Sequence, residues 1–376
     1  MKIKKIIFLA IIILMVFPCK ISATEQIMES TKEMLGVSTF ISESEKFSQE
    51  VFEDIDFSEV LNSAITGKID NSTLAKKLLN ILGKEIRNQL TLIGSIIVII
   101  VIHSILKSVS DGLENEGISK VSYFVQYILI VTLIMKSFSE IVMNIKDTTQ
   151  SLVGYSYSLI PLLISLMMFT GNLVSAGAVQ PILLLMITFI GTFISNFLLP
   201  MVLIGTALGI ISKISDKVQI DKLAKTFKSS TVWILGLVLT VFTGVLSLES
   251  SLTGKVDGIT TKATKAIVTN AIPVVGKILS DASETVLGSG IVLRNAVGLV
   301  GVIVIIGICA MPIIKLGVLT ALYQILSAIC EPIADKKIIS IIEQMRDTFK
   351  VLLGMVSAIS IMLIIGVTIV IKVSSV

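Results

Sequence analysis

The chain has 376 residues, 53% of them hydrophobic and 15% charged, with a formal net charge of +4 and a mean hydropathy of +0.94. That balance lies outside the range of soluble globular domains and inside that of membrane proteins. It excludes a soluble nucleic-acid binder, which needs a basic face interleaved with aromatics, whereas this chain has one Trp, Trp233.

At the amino terminus, Lys2, Lys4 and Lys5, the apolar run from Ile6 to Phe17 and the small-residue site Ile21-Ser22-Ala23 read as a secretory signal over residues 1–23. The apolar run is short for a membrane span, and an uncleaved anchor is the alternative. Cys19 follows Pro18, where lipid attachment requires a small residue, so lipidation is rejected. Residues 24–88 then form a polar, helical, extracytoplasmic domain. Its first part is acidic, with ten Asp or Glu against two Lys between residues 24 and 60. Its second part is amphipathic: Leu74, Leu78, Ile81, Leu82 and Ile86 recur at helical spacing, with Lys76, Lys77, Lys84 and Arg87 on the other faces. This domain is either a docking surface for another envelope protein or a solvated lead-in.

From residue 89 to the end, one apolar run follows another. About twenty residues of helix cross the roughly 30 Å of hydrocarbon, and unbroken runs lack the alternation of a barrel strand. The expected fold is all-α: a polytopic helical membrane protein of about eight transmembrane helices, seven to nine, with an amphipathic, re-entrant segment at 255–294. Candidate spans are 89–107, 121–138, 152–170, 179–199, 200–212, 231–248, 295–314, 316–330 and 351–371. Val179 to Ile211 exceeds one crossing, and Pro200 is expected to divide it into a tight hairpin. Residues 213–228 carry five Lys, a cytoplasmic mark. Lys336, Lys337, Arg346 and Lys350 mark 331–350 likewise, although two full crossings within Ala296–Cys330 would place that loop outside.

No catalytic signature is present. A single histidine excludes HExxH and Ser-His arrangements, no phosphate-binding loop occurs, and no cofactor or metal is expected. Cys309 and Cys330 read as small packing residues. His103 and Lys107 sit near the end of the first span, where ionisable groups mark a pathway or, more simply, snorkel and bond a neighbouring backbone. The segment 255–294 is too polar to span alone. Pro273 interrupts its hydrogen-bond ladder, Asp281 and Glu284 lie on its polar face, and Gly288 and Gly290 are expected to permit a sharp reversal. Such a broken helix is tolerated against protein or water, so it lines a pathway, binds a partner or packs as a surface helix. Small residues such as Gly205, Gly209, Gly298 and Gly301 allow close helix approach and are compatible with a homo-oligomer.

The runs Ile272-Pro273-Val274-Val275-Gly276, Leu279-Ser280-Asp281-Ala282, Thr285-Val286-Leu287-Gly288 and Arg294-Asn295-Ala296-Val297-Gly298 resemble the stage III sporulation protein AE family. The layout of leader, polar domain and many spans resembles it too. The resemblance implies a non-enzymatic, permease-like component of an assembly joining mother cell and forespore during endospore formation, in the mother-cell membrane. It implies other stage III sporulation membrane proteins and a secretion-type ATPase as partners. No catalytic residue is carried over; Pro273, Gly276, Asp281, Glu284, Gly288, Arg294 and Asn295 are taken as a pathway or partner surface. A stand-alone secondary transporter of a small solute or ion is the alternative.

Overall fold

Hydrocarbon offers backbone N–H and C=O groups no water, so a spanning chain must bond them within its own helices. A computed structural model describes residues 28–53, 55–68, 71–112, 116–214, 220–271 and 275–372, and no strand occurs among them. After helical residues at 28–34 come α1 (Val37–Phe52), α2 (Phe57–Thr66), α3 (Asn71–Gly112) and α4 (Glu116–Phe169). They are followed by α5 (Leu173–Phe193), a π-helix (Ile194–Leu198), α6 (Leu199–Ile214), α7 (Asp221–Ala271), α8 (Val275–Cys330) and α9 (Lys336–Lys372). The expected signal segment lies outside the described residues.

The protein is therefore an all-α polytopic chain, as its composition demands. Six helices among the described residues are long and apolar enough to cross a membrane: Ser72–Leu106, Phe124–Phe169, Leu173–Lys213, Asp221–Thr253, Thr285–Cys330 and Lys336–Lys372. The apolar segments read from the sequence are all present, but several share a helix. Residues 121–138 and 152–170 both lie on α4, and 295–314 and 316–330 both lie on α8. At 54 residues, α4 is about 80 Å long by its helical rise, more than twice the hydrocarbon thickness. Hydroxyls inside these helices turn back on their own backbone: Thr149, Ser156, Thr206 and Ser360 each donate to the carbonyl four residues earlier.

Two expected reversals are absent. The chain does not fold back at Pro200, because α5, the π-helix and α6 form one continuous helical run from Leu173 to Lys213. Proline lacks an N–H and crowds the preceding turn; here the ladder widens just before it, Leu199 N–H bonding the carbonyl of Ile194 five residues back. Nor does it reverse at Gly288 and Gly290, which lie inside α8. The reversal between α4 and α5 falls instead at Thr170-Gly171-Asn172. Gly171 has φ 87°, and the amides of Gly171 and Asn172 bond the carbonyls of Met168 and Met167 at 3.0 Å, the left-handed closure that glycine favours.

The amino-terminal helices pack on the bundle. Asp56 caps α2 by accepting from the amides of Ser58 and Glu59. α1 buries Val37, Phe40, Ser44, Ser48, Val51 and Phe52, positions that share one helical face. Phe40 and Phe47 lie 6.2 and 5.8 Å from Tyr155 of α4, and the Ser44 hydroxyl is 3.2 Å from that of Tyr155. α3 runs without a break from its amphipathic part into the first span.

α8 and α9 form the central antiparallel pair, with Tyr323 edge-on to Phe349 at 5.1 Å. Glycines set how near the other helices come. A Cβ at Gly298 would collide with Ile371 of α9, at Gly301 with Leu159 of α4, and at Gly307 with Phe52 of α1. Gly301→Leu is therefore expected to cost about 1–3 kcal/mol through overpacking. Gly236→Leu, where an added Cβ meets nothing, should be neutral or mildly stabilising. Thermal unfolding of both variants in detergent checks the contrast.

Candidate functional site

Polar side chains gather at the two ends of the bundle. One end is built around the α4–α5 reversal. The helix α5 begins without a cap from its own Asn172; the carboxylate of Asp257, from α7, supplies it, accepting from the amides of Val174 and Ser175 at 2.9 Å each. Asp257 is 2% exposed. A carboxylate here satisfies two orphan amides and complements the positive end of the α5 dipole.

Arg294 of α8 performs the opposite task next to it. It is 1% exposed, with Nη1 donating to the Thr170 hydroxyl at 3.3 Å and Nη2 to the carbonyl of Ile371 at 3.1 Å. Thr170 closes α4, and Ile371 lies in the last turn of α9. The guanidinium thus sits where two helix carboxyl ends converge, and their partial negative charges offset its burial with no carboxylate partner among the described residues. Gly290, one turn earlier, is packed against Phe169 and Thr170, which brings α8 close enough for Arg294 to reach both.

At the other end, His103 of α3 is 4% exposed, and its Nε2 lies 3.1 Å from Oδ2 of Asp335, in the α8–α9 turn. Tyr127 of α4 donates to the carbonyl of Ile210 at 2.7 Å. Lys213 pairs with Asp221, Lys228 donates to the carbonyl of Gln344 at 3.0 Å, and Gln344 donates to that of Thr206 at 3.0 Å. The Lys-rich starts of α7 and α9 and the end of α6 therefore share one end of the bundle.

The expected site residues are not brought to one place. Arg294 and His103 belong to opposite ends, about 54 Å apart by the helical rise between Arg294 and Cys330. Gly288 and Asn295 are exposed, and a Cβ at Gly288 would meet nothing. Gly276, Asp281 and Glu284 fall on the helical backbone of α8; the side chains of Asp281, Glu284 and Lys107 lie outside the described residues, as does Pro273. Sequence reasoning passed over Asp257, Thr170, Asp335 and Gly290 as site partners. Asp257 had a signal, being an acid one helical stretch beyond the charge-free run that ends at Leu248, but its partner amides are some eighty residues away.

Arg294→Met removes two charge-assisted bonds and should cost about 1.5–3 kcal/mol, read as a lower unfolding temperature in detergent. Arg294→Lys should recover part of the loss, and Asn295→Ala should stay within about 0.5 kcal/mol of the parent.

The profile of the stage III sporulation protein AE family matches residues 55–374. The stage III sporulation protein AE of Bacillus subtilis (strain 168) is 28% identical over 296 residues, which cover 79% of this chain and 74% of that protein. No solved structure matches the chain. With the profile running from the cap of α2 to beyond the end of α9, the chain belongs to the stage III sporulation protein AE family.

Proposed function

We propose that this chain is the multi-pass, permease-like body of an envelope assembly between mother cell and forespore, required during endospore formation and itself without catalysis. The observation that carries the reading is the family match across nearly all the membrane-spanning helices. The reading places the chain in the mother-cell membrane, with residues 24–88 extracytoplasmic after a signal segment and with other stage III sporulation membrane proteins as neighbours. A secretion-type ATPase would then meet the Lys-rich end.

The orientation follows from one crossing per long helix. An extracytoplasmic α1 and α2 put the α6–α7 and α8–α9 connections on the cytoplasmic side. Both carry Lys at their flanks, Lys213, Lys222 and Lys225 in one case, Lys336 and Lys337 in the other, as positive-inside charge requires. The α4–α5 reversal with Arg294 then faces outward. Reporter fusions test this: a cytoplasm-dependent reporter should be active at Asp335 and silent at Gly171, and the opposite pattern would overturn the orientation.

Deleting the gene in its sporulating host should arrest development after engulfment; normal spore yield from a clean deletion would sink the assembly role. Within the amphipathic segment, Asp281→Ala and Gly288→Leu should lower sporulation efficiency more than Lys225→Ala. Equal yields from all three would deny the segment a special part.

A further inference from the structure

Partway along the bundle, a cleft of about 170 Å³ opens between α1, α4 and α8. α4 contributes Asn144, Asp147 and Ser151 to its wall, and α8 contributes Ile308, Pro312 and Lys315. The two charges stand out against their surroundings. Asp147 is the last charged residue before a charge-free stretch that runs to Ser212, and Lys315 is the single charged residue of α8 beyond Arg294. Neither forms an ion pair among the described residues. Pro312 has no N–H, so the carbonyl of Ile308 receives no helical bond from it, which adds an acceptor to the wall.

We propose that this cleft binds a small zwitterionic solute of the α-amino-acid type, with its ammonium group at Asp147 and its carboxylate at Lys315. The pairing of charges selects the class. Lys315 repels a lone cation and Asp147 a lone anion, whereas a molecule bearing both signs satisfies both walls at once. Lys315 is half-buried, which strengthens its attraction for a carboxylate relative to open water, while Asp147 stands exposed at the rim. Size is compatible with that class: one water needs roughly 10–15 Å³ of such space, so about 170 Å³ leaves room for glycine or alanine. The hydroxyl of Ser151 and the amide of Asn144 complete a polar lining that an apolar solute would leave unsatisfied.

The inference does not depend on the assembly role, since it is read on the purified chain and not on spore yield. The test is calorimetric titration of the full-length protein in detergent with glycine and L-alanine, beside ethylamine and propionate as single-charge controls. Both amino acids should bind saturably and the controls should not. Asp147→Asn and Lys315→Met should each weaken binding at least tenfold, and Lys315→Arg should retain it. Ser151→Leu, which fills the cleft without removing a charge, should abolish binding. Unfolding temperatures report whether each variant is folded. Absence of saturable binding to the parent protein, ethylamine binding as tightly as alanine, or unchanged affinity in the Asp147 and Lys315 variants would each overturn the proposal.

Discussion

Close approach to α8 is the constraint on which the rest of the architecture leans. Three of its glycines each receive a side chain from a different helix: Ile371 from α9 at Gly298, Leu159 from α4 at Gly301 and Phe52 from α1 at Gly307. Inside lipid there is little hydrophobic gain in bringing apolar helices together, so contact distance and packing must supply the attraction. A methyl group at any of these three positions would force the facing side chain to give way. The amino-terminal helices, the central pair and the long α4 thus share one seam.

Helix ends impose the second demand. Long helices accumulate partial charge at their termini, and at the α4–α5 reversal this charge is met by residues borrowed from elsewhere in the chain. Asp257 answers the amides of α5, and Arg294 answers the Thr170 hydroxyl at the end of α4 and the Ile371 carbonyl in the last turn of α9. Each ionised group is buried, yet each sits where a dipole of opposite sign ends. The arrangement ties α4, α5, α7, α8 and α9 together at one level without an ion pair between the two charged residues.

The class of fold was legible because lipid forces a simple code: long apolar runs can only be helices. Continuity was not. Proline at position 200 carries the ordinary mark of a break, and the sequence offers no sign that a widened turn will absorb it. Pro161, Pro181 and Pro312 likewise sit within helices. The true reversal at Thr170-Gly171-Asn172 does carry turn chemistry, but in a shorter gap than the spacing of apolar runs implied. Of the candidate site, Arg294 was found and its neighbours were not, because Thr170 and Ile371 are more than seventy residues from it in opposite directions. Pairings of that range leave no local pattern to read.

The docking of α1 bears on the order in which the protein can mature. Its seat is formed by Tyr155 and Gly154 on one side and Gly307 on the other, so a helix made early in synthesis waits for one made late. Such late, long-range closure is slow compared with helix formation. Until α8 arrives, Phe52 lacks the Gly307 surface it packs on, and a nascent chain stalled before residue 307 presents that side chain to any chaperone or protease of its compartment.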